Sequence, residues 1–377
     1  MGYLLSEENQ ELVAMVKDFS NKEVKDVCKK MEIDGEMPWD LIRKAQDMQL
    51  HLIDIPEEYG GMGLDLVTCA AIVEAMAYGD AGFSCTMTST SLALKPVLLA
   101  GTPEQIQMFS DIVIPGGLAS FALTEAIAGS DAGALRTTAV RDGDDYILNG
   151  SKCFITNGQI ADVYIIFAVT DKSKGLKGIS AFIVPKDTPG LSSGTHENKM
   201  GIRTSNTSDL FMDNVRVPAK NMLGEEGTGY KLAMKTLDLG RPFNGIQAVG
   251  IAQRALDEAV AYAKERVTFG KPIIKHQAIQ FMLADMDIKV ETARQMVIHC
   301  LQKAEKGLPY SREAAIAKCY AGDIAMQVTT DAVQILGGYG YSREYPVEKL
   351  MRDAKIYQIF EGTNQIQRMV IGGHLSR

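Results

Sequence analysis

The six cysteines of this 377-residue chain (Cys28, Cys69, Cys85, Cys153, Cys300 and Cys319) lie far apart and include no CxxC pair. Such spacing argues against a disulfide framework and against a zinc site, and it predicts free thiols in a reducing cytoplasm. The five histidines are equally scattered and form no HExxH, so no metal is expected. Long apolar runs are missing: stretches such as Val163–Val169 are far too short to cross a bilayer. The opening Met1-Gly2-Tyr3-Leu4-Leu5-Ser6-Glu7-Glu8 has neither a basic n-region nor a useful h-region, so no secretory signal is expected. Basic charge is in deficit, with 39 Lys and Arg against 47 Asp and Glu, a net charge of −8, and no local basic cluster. Nucleic acid is therefore not an expected partner. GxxxxGK, a GxGxxG opening a helix and GxSxG are all absent, which removes the P-loop, the dinucleotide fingerprint and the nucleophile elbow.

What remains is a 46% apolar, 23% charged chain, the balance of a globular protein with a large core, and long enough for two to three domains. Its apolar spacing changes character twice. Residues 1 to about 116 read as helices, with Leu12, Val13, Val16 and Phe19 forming one stripe after a Ser6 cap. A second helix follows Pro38, and a third covers about 65–78. From about Ser120 to Val217 the period shortens, and six segments read as strands: 121–123, 146–148, 152–155, 163–169, 179–184 and 210–217. Asp-Gly, Asn-Gly and Lys-Gly punctuate them, predicting a small antiparallel barrel or sandwich. After Gly229 the helical period returns, with apolar faces through Val249 to Ala263, Met282 to Cys300 and Tyr320 to Ile335. Long helices with single apolar faces suit a four-helix bundle. The fold class is α+β in the order helical, strand-rich, helical.

Three segments could carry chemistry. In Tyr357-Gln358-Ile359-Phe360-Glu361-Gly362-Thr363, one carboxylate follows an apolar run and precedes a glycine and a possible Thr363 helix cap. Held against apolar neighbours it would have a raised pKa and could act as a general base; the alternative is a solvated loop glutamate near a helix N-terminus. In Leu237-Asp238-Leu239-Gly240-Arg241, Asp238 and Arg241 share a helix face, where they either pair with each other or hold a polar ligand. In Leu123 to Asp131, small and hydroxyl residues at a strand end could offer backbone N–H groups to an anion or carbonyl, or form only a turn.

Together, in this order and over this length, these segments resemble the acyl-CoA dehydrogenase family of flavoproteins. The resemblance runs end to end: PEEYGG at 56–61, LTE…AGSD at 123–131, NGSKCFITN at 149–157 and LDLGR at 237–241. It continues in ERVTFGKPI at 265–273, QILGGYGY at 334–341, RDAK at 352–355 and IFEGTNQIQ at 359–367. It implies a helical domain over 1–117, a β-domain over 118–226 and a four-helix bundle over 227–377, assembled as a homotetramer with FAD between domains and across a subunit interface. Carried over by position, Phe121, Leu123, Thr124, Phe154, Ile155 and Thr156 would contact the flavin ring and ribityl chain. Arg266, Phe269, Gln277, Gln334, Gly337 and Gly338 would hold the pyrophosphate and adenosine, partly from a neighbouring subunit, and Thr363 and Gln365 would complete that site. Ser130, Asp238 and Arg241 match positions that bind the CoA thioester, with Ser130 also counted at the cofactor site and Gly362 beside the base at the substrate site.

Glu361 would then be the base that takes the α-proton. The residue just before the LDLxR arginine, where one subset of the family carries its base, is Gly240, so the isovaleryl and long-chain types are not expected. Three departures stand out: Ala126-Ile127 in place of the usual Pro-Gly of the flavin loop, Phe154 in place of a common tryptophan, and Pro242-Phe243-Asn244 after Arg241, which predicts a reshaped acyl-pocket floor. The hydroxyl run over 84–91 either lines a polar or short pocket or bonds locally to backbone. It contains no arginine, so a dicarboxylic acyl group has no evident counter-charge there. The resemblance implies an acyl-CoA or enoyl-CoA substrate and electron-transferring flavoprotein as redox partner. Running in reverse, the same site would be an enoyl-CoA reductase. Acyl-CoA oxidases of this fold are much longer, a flavin monooxygenase would not need Glu361, and an inert helical scaffold would not keep base, thioester and flavin positions together.

Overall fold

A computed structural model describes residues 3–376 of the chain. Ser6 caps α1 (Glu7–Phe19) by accepting from the Asn9 N–H, and Val13, Val16 and Phe19 are buried along one face, as the spacing predicts. A π-helical turn leads into α2 (Lys25–Met31), and α3 (Trp39–Asp47) follows Pro38. The PEEYGG connector doubles back tightly: a Cβ on Gly61 would lie 2.2 Å from the Ile55 carbonyl oxygen. Asp65 caps α4 (Leu66–Gly79), Asp80 caps α5 (Ala81–Ala100), and Thr102 with Gln105 forms a capping box on α6 (Pro103–Val113).

The middle of the chain forms one eight-stranded mixed sheet in the order β6-β7-β3-β2-β4-β5-β8, with β1 paired to β4. The strands are β1 (Ala119–Ala122), β2 (Thr138–Asp142), β3 (Asp145–Thr156), β4 (Val163–Val169), β5 (Ile179–Pro185), β6 (Leu191–Ser193), β7 (Thr207–Pro218) and β8 (Met222–Leu223). Most pairings are antiparallel; β1 and β2 meet β4 in parallel. Segments read separately at 146–148 and 152–155 are one long strand, β3, irregular around Gly150, where φ is +146° and a Cβ would lie 2.7 Å from Thr137 Cα. β4 is buried on both faces: Val163, Ile165 and Phe167 join a core with α5 and α6, while Tyr164, Ile166 and Ala168 join the core within the sheet. This two-sided burial explains its unbroken apolar run.

The C-terminal part is built on α7 (Gly229–Glu265), α8 (Gln277–Glu305) and α9 (Ser311–Leu336), with a short β9 (Val267–Thr268) and β10 (Lys271–Pro272) hairpin between the first two. The bundle's fourth position is split. Two short helices, α10 (Val347–Ala354) and α11 (Asn364–Leu375), both pack on α9, and between them the chain keeps only the 3-10 turn Lys355–Gln358. α7, about 55 Å long at 1.5 Å per residue, is the shared axle. Leu232 and Ala233 near its start lie in the core against the sheet, and Phe243 onward lies in a core shared with the N-terminal helices. A buried cluster ties the three regions together. Lys349 of α10 donates to Asp80 (2.6 Å) and Asp353 (2.5 Å), Thr204 bonds Asp80, and the Ile202 N–H bonds Asp353.

Candidate active site

Where α7 passes from one core to the other, its stretch from Leu237 to Gln247 borders a cavity of about 640 Å³. α5, the loop after β1, the end of β3, the break between α10 and α11, and α11 itself supply most of the other walls. Phe121, Leu123, Thr124, Ser130, Phe154, Ile155, Thr156, Arg241, Glu361 and Gly362 all line it. The helix break creates the position of Glu361. Its backbone is left-handed (φ +53°), as is that of Gly362 (φ +87°), and Thr363 caps α11 by accepting from the Ile366 N–H. Gln367 donates to the Glu361 and Gly362 carbonyls at 3.2 and 2.9 Å.

Lys318 completes the clamp, and the sequence reading did not single it out. It is fully buried on α9, donating to the Gly362 carbonyl (2.8 Å) and to Asn364 Oδ1 (2.9 Å). Its one sequence signal is a lysine inside the small-residue run Ala314 to Gly322, where the helix lies close to the loop: a Cβ on Gly322 would meet the Tyr357 carbonyl at 2.5 Å. Burial pulls the Lys318 pKa down to about 8, with Glu361 opposing the shift.

Glu361 is half-buried as a residue, but its Oε2 is fully enclosed and has no hydrogen-bond partner. Burial raises its pKa, against the pull of the Lys318, Lys95 and Arg241 cations and of the neighbouring Asn244 side chain. Gly240 stands directly across, where a Cβ would be 3.0 Å from that oxygen and 2.9 Å from Leu92. Asp238 and Arg241 do pair with each other, yet Arg241 alone of the two lines the cavity, 5% exposed, with its Nε unpartnered. The hydroxyl run does both. Thr88, Ser89 and Ser91 all line the cavity, yet Thr88 bonds the Ser84 carbonyl, Ser89 donates to the Ala119 carbonyl and Ser91 bonds Asp54. A counter-charge absent from that run sits one turn beyond it: Lys95 lines the same wall, paired with Asp54 at 3.1 Å.

The loop after β1 is held by a buried ion pair. Glu125 accepts from Lys152 (2.7 Å) and from the Arg136 and Thr137 N–H groups, and Lys152 also bonds the Leu123 carbonyl. Burial pulls Lys152 down to about 8 against the attraction of Glu125. Phe154, at φ +55°, is 67% exposed and lines the cavity. The other expected cofactor residues gather elsewhere. Arg266, Phe269, Gly337 and Gly338 line a second hollow of about 710 Å³ at the end of α9, with the Arg266 guanidinium 5.6 Å from the Tyr339 ring centroid. Phe269 is 96% exposed there. Gln277, Gln334 and Gln365 are exposed on α8, α9 and α11, lining neither hollow, and Thr363 is occupied as a helix cap.

Three family models match in series: the acyl-CoA dehydrogenase N-terminal domain over 6–114, the middle domain over 120–215 and the C-terminal domain over 227–376. The chain belongs to the acyl-CoA dehydrogenase family. A short-chain-specific acyl-CoA dehydrogenase from Megasphaera elsdenii is 47% identical over 383 residues, covering all of both chains. Among solved acyl-CoA dehydrogenase structures, butyryl-CoA dehydrogenase from Megasphaera elsdenii superposes with a TM-score of 0.97 at 47% identity over the whole of both chains. A chain from a structure of the electron transferring flavoprotein of Acidaminococcus fermentans, concerned with flavin-based electron bifurcation, gives 0.97 at 48% identity, again over the whole of both. Among the described residues no helix is long and apolar enough to cross a membrane.

Proposed function

We propose that this chain catalyses the FAD-dependent α,β-dehydrogenation of an acyl-CoA thioester to the trans-2-enoyl-CoA, with Glu361 as the base. The observation that carries the reading is the enclosed, unpartnered Oε2 of Glu361, aimed into a cavity lined by a paired arginine on one side and an exposed aromatic ring on the other. An α-proton beside a thioester is very weakly acidic, so its removal needs a positioned base and stabilisation of the enolate oxygen. Glu361 takes the proton on Oε2, and its own backbone N–H, which has no acceptor among the described residues, is placed to serve the thioester oxygen. Arg241 and Ser130 bind the CoA portion, with Asp238 orienting the arginine.

The residues present fit a flavin. Two large apolar side chains, Phe154 and Phe269, stand exposed in left-handed backbone beside the two hollows, and a planar apolar group would cover them. Thr124, Phe154, Ile155 and Thr156 would hold the ring in the first, and Arg266, Phe269, Gly337 and Gly338 the phosphate and adenosine portions in the second. FAD, when bound, accepts the β-hydrogen with its electron pair. Gln277, Gln334, Thr363 and Gln365 would join only across a subunit contact, in keeping with a homotetramer. Electron-transferring flavoprotein is the proposed redox partner, and the free cysteines accord with a cytoplasmic location. Domain limits at 117 and 226 fall in the connections between α6 and β1 and between β8 and α7.

Anaerobic titration of the purified protein with acyl-CoA and enoyl-CoA esters, following flavin absorbance, tests this. Bleaching by a saturated ester is expected. Failure of every saturated ester, with reoxidation of chemically reduced protein by an enoyl-CoA, would assign the reductase direction instead. Protein that takes up no FAD would end the flavoenzyme reading.

A further inference from the structure

Asn244 is 2% exposed and lines the cavity, yet among the described residues neither its Oδ1 nor its Nδ2 has a hydrogen-bond partner at ordinary length. Buried polar groups in native proteins are almost always satisfied, so an enclosed amide free at both ends calls for a reason. Side chains on an α-helix lean toward its N-terminus, over the residue one turn earlier. For Asn244 that residue is Gly240, which has no side chain, and Glu361 reaches into the space above it: a Cβ on Gly240 would lie 3.0 Å from Oε2. The amide therefore leans toward the carboxylate, whose Oε2 is likewise enclosed and unpartnered. Other polar groups along this wall are already committed. Gln247 donates to Thr88 (2.9 Å) and accepts from Tyr357 (2.7 Å), and Ser91 and Lys95 both bond Asp54.

We propose that Asn244 is a positioning residue for Glu361, its amide being the neutral partner that serves the base in both of its protonation states. The inference rests on Glu361 being the base and adds a second residue to it. A carboxylate only accepts hydrogen bonds, whereas a carboxylic acid also donates one. An amide can meet both: Nδ2 donates to the carboxylate before proton transfer, and Oδ1 accepts from the new O–H after it. The surrounding cations can do only the first, because an ammonium or guanidinium has no acceptor. The α-proton stays on Glu361; Asn244 gains and loses none. Of the two contacts the one to the ionised form is about twice as strong, so the net effect of Asn244 is to keep Glu361 ionised, in the same direction as its neighbours. Those are Lys318 from α9, Lys95 from α5 and Arg241 from α7, the last two themselves paired with Asp54 and Asp238. The Cys85 thiol of α5, pushed up to about 11, and the Tyr357 hydroxyl also feel the carboxylate, and burial holds both protonated.

The test follows the pH dependence of flavin reduction by a saturated acyl-CoA ester in the FAD-loaded wild type, Asn244→Leu and Asn244→Asp. Beside it, infrared titration of the Glu361 carboxyl is run in the same proteins without ester, isolated by subtracting the spectrum of each protein's Glu361→Gln counterpart. Asn244→Leu removes donor and acceptor together, so the carboxyl titration and the acid limb should both move up by about one pH unit, slowing reduction about tenfold on the acid side. Asn244→Asp keeps the shape but sets a second carboxylate against the first, and should move both further in the same direction. KM for the ester should change little in either variant. An unchanged carboxyl titration in both variants, whatever the loss of rate, would overturn the proposal and leave Asn244 a packing role. A shift to lower pH would overturn it too. Near-normal flavin reduction in Glu361→Gln would instead overturn the base reading, and this proposal with it, an outcome separate from anything the Asn244 variants show.

Discussion

At the scale of single residues, the site is an exercise in keeping one carboxylate both buried and reactive. Burial raises the Glu361 pKa, and Lys318, Lys95 and Arg241 restrain the rise. A base must be ionised to act, so flavin reduction should fall as pH drops through the raised pKa. Glu361→Gln should keep the yellow colour and CoA-ester binding while lowering substrate-dependent flavin reduction by roughly a hundredfold to ten-thousandfold, read by stopped-flow absorbance. Near-normal reduction would remove Glu361 from the mechanism. Lys318→Met withdraws the buried cation beside the loop, so the Glu361 carboxyl should ionise less readily and the acid limb of kcat/KM should move to higher pH. A uniform loss at every pH would mean that Lys318 only holds the loop. The glycine and threonine beside Glu361 marked a helix restart in the sequence, but they fitted a solvated loop glutamate equally well, and it was the family resemblance that singled the residue out. Lys318 was not, because a buried lysine looks like any other until the carbonyl it reaches, 44 positions away, is known.

At the scale of elements, the segments that carry the site are those where regular structure fails: the split between α10 and α11, and the loop after β1 that Glu125 and Lys152 pin to β3. The strand and helix periods were readable because each element buries one face, and β4 betrayed its two-sided burial by an unbroken apolar run. Within the eight-stranded sheet, three strands escaped notice for physical reasons. β6 and β8 have three and two residues, too short for alternation to show, and β2 is exposed at four of its five positions. The parallel pairing of β1 with β4 was equally invisible, since partner choice is a long-range property. Lys152→Met should leave the Glu125 carboxylate buried without its cation and cost about 3–5 kcal/mol, measured by chemical denaturation. A cost below about 1 kcal/mol would show that the Arg136 and Thr137 N–H groups suffice to hold the loop.

At the scale of the whole molecule, helices from both ends of the chain share one core, and the sheet is fastened to them by α7 and by the Lys349 cluster. Burial alone would raise the Asp80 carboxyl, but the Lys349 ammonium and the Thr204 and Phe83 bonds hold it below its usual value. Lys349→Met would leave Asp80 and Asp353 as two buried like charges, each inclined to bind a proton. Because the folded state would then bind more protons than the unfolded one, stability rises as pH falls. The variant should therefore melt well below the wild type at neutral pH, and the gap in Tm should narrow on mild acidification. A gap independent of pH would assign Lys349 a packing role. The helical, strand-rich, helical order could be read from spacing alone; that the outer two parts merge into one core could not, because it depends on which faces meet.

The space opposite the proposed base limits where a carboxylate can stand. A Cβ at Gly240 would fall 3.0 Å from Glu361 Oε2, so two different segments of the chain converge on one point in the pocket. A carboxylate contributed from either could reach the same proton, but both together would crowd and repel. The vacancy at Gly240 is thus part of what lets Glu361 occupy that point: a side chain there would have to displace the carboxylate or the Leu92 side chain, which a Cβ would meet at 2.9 Å.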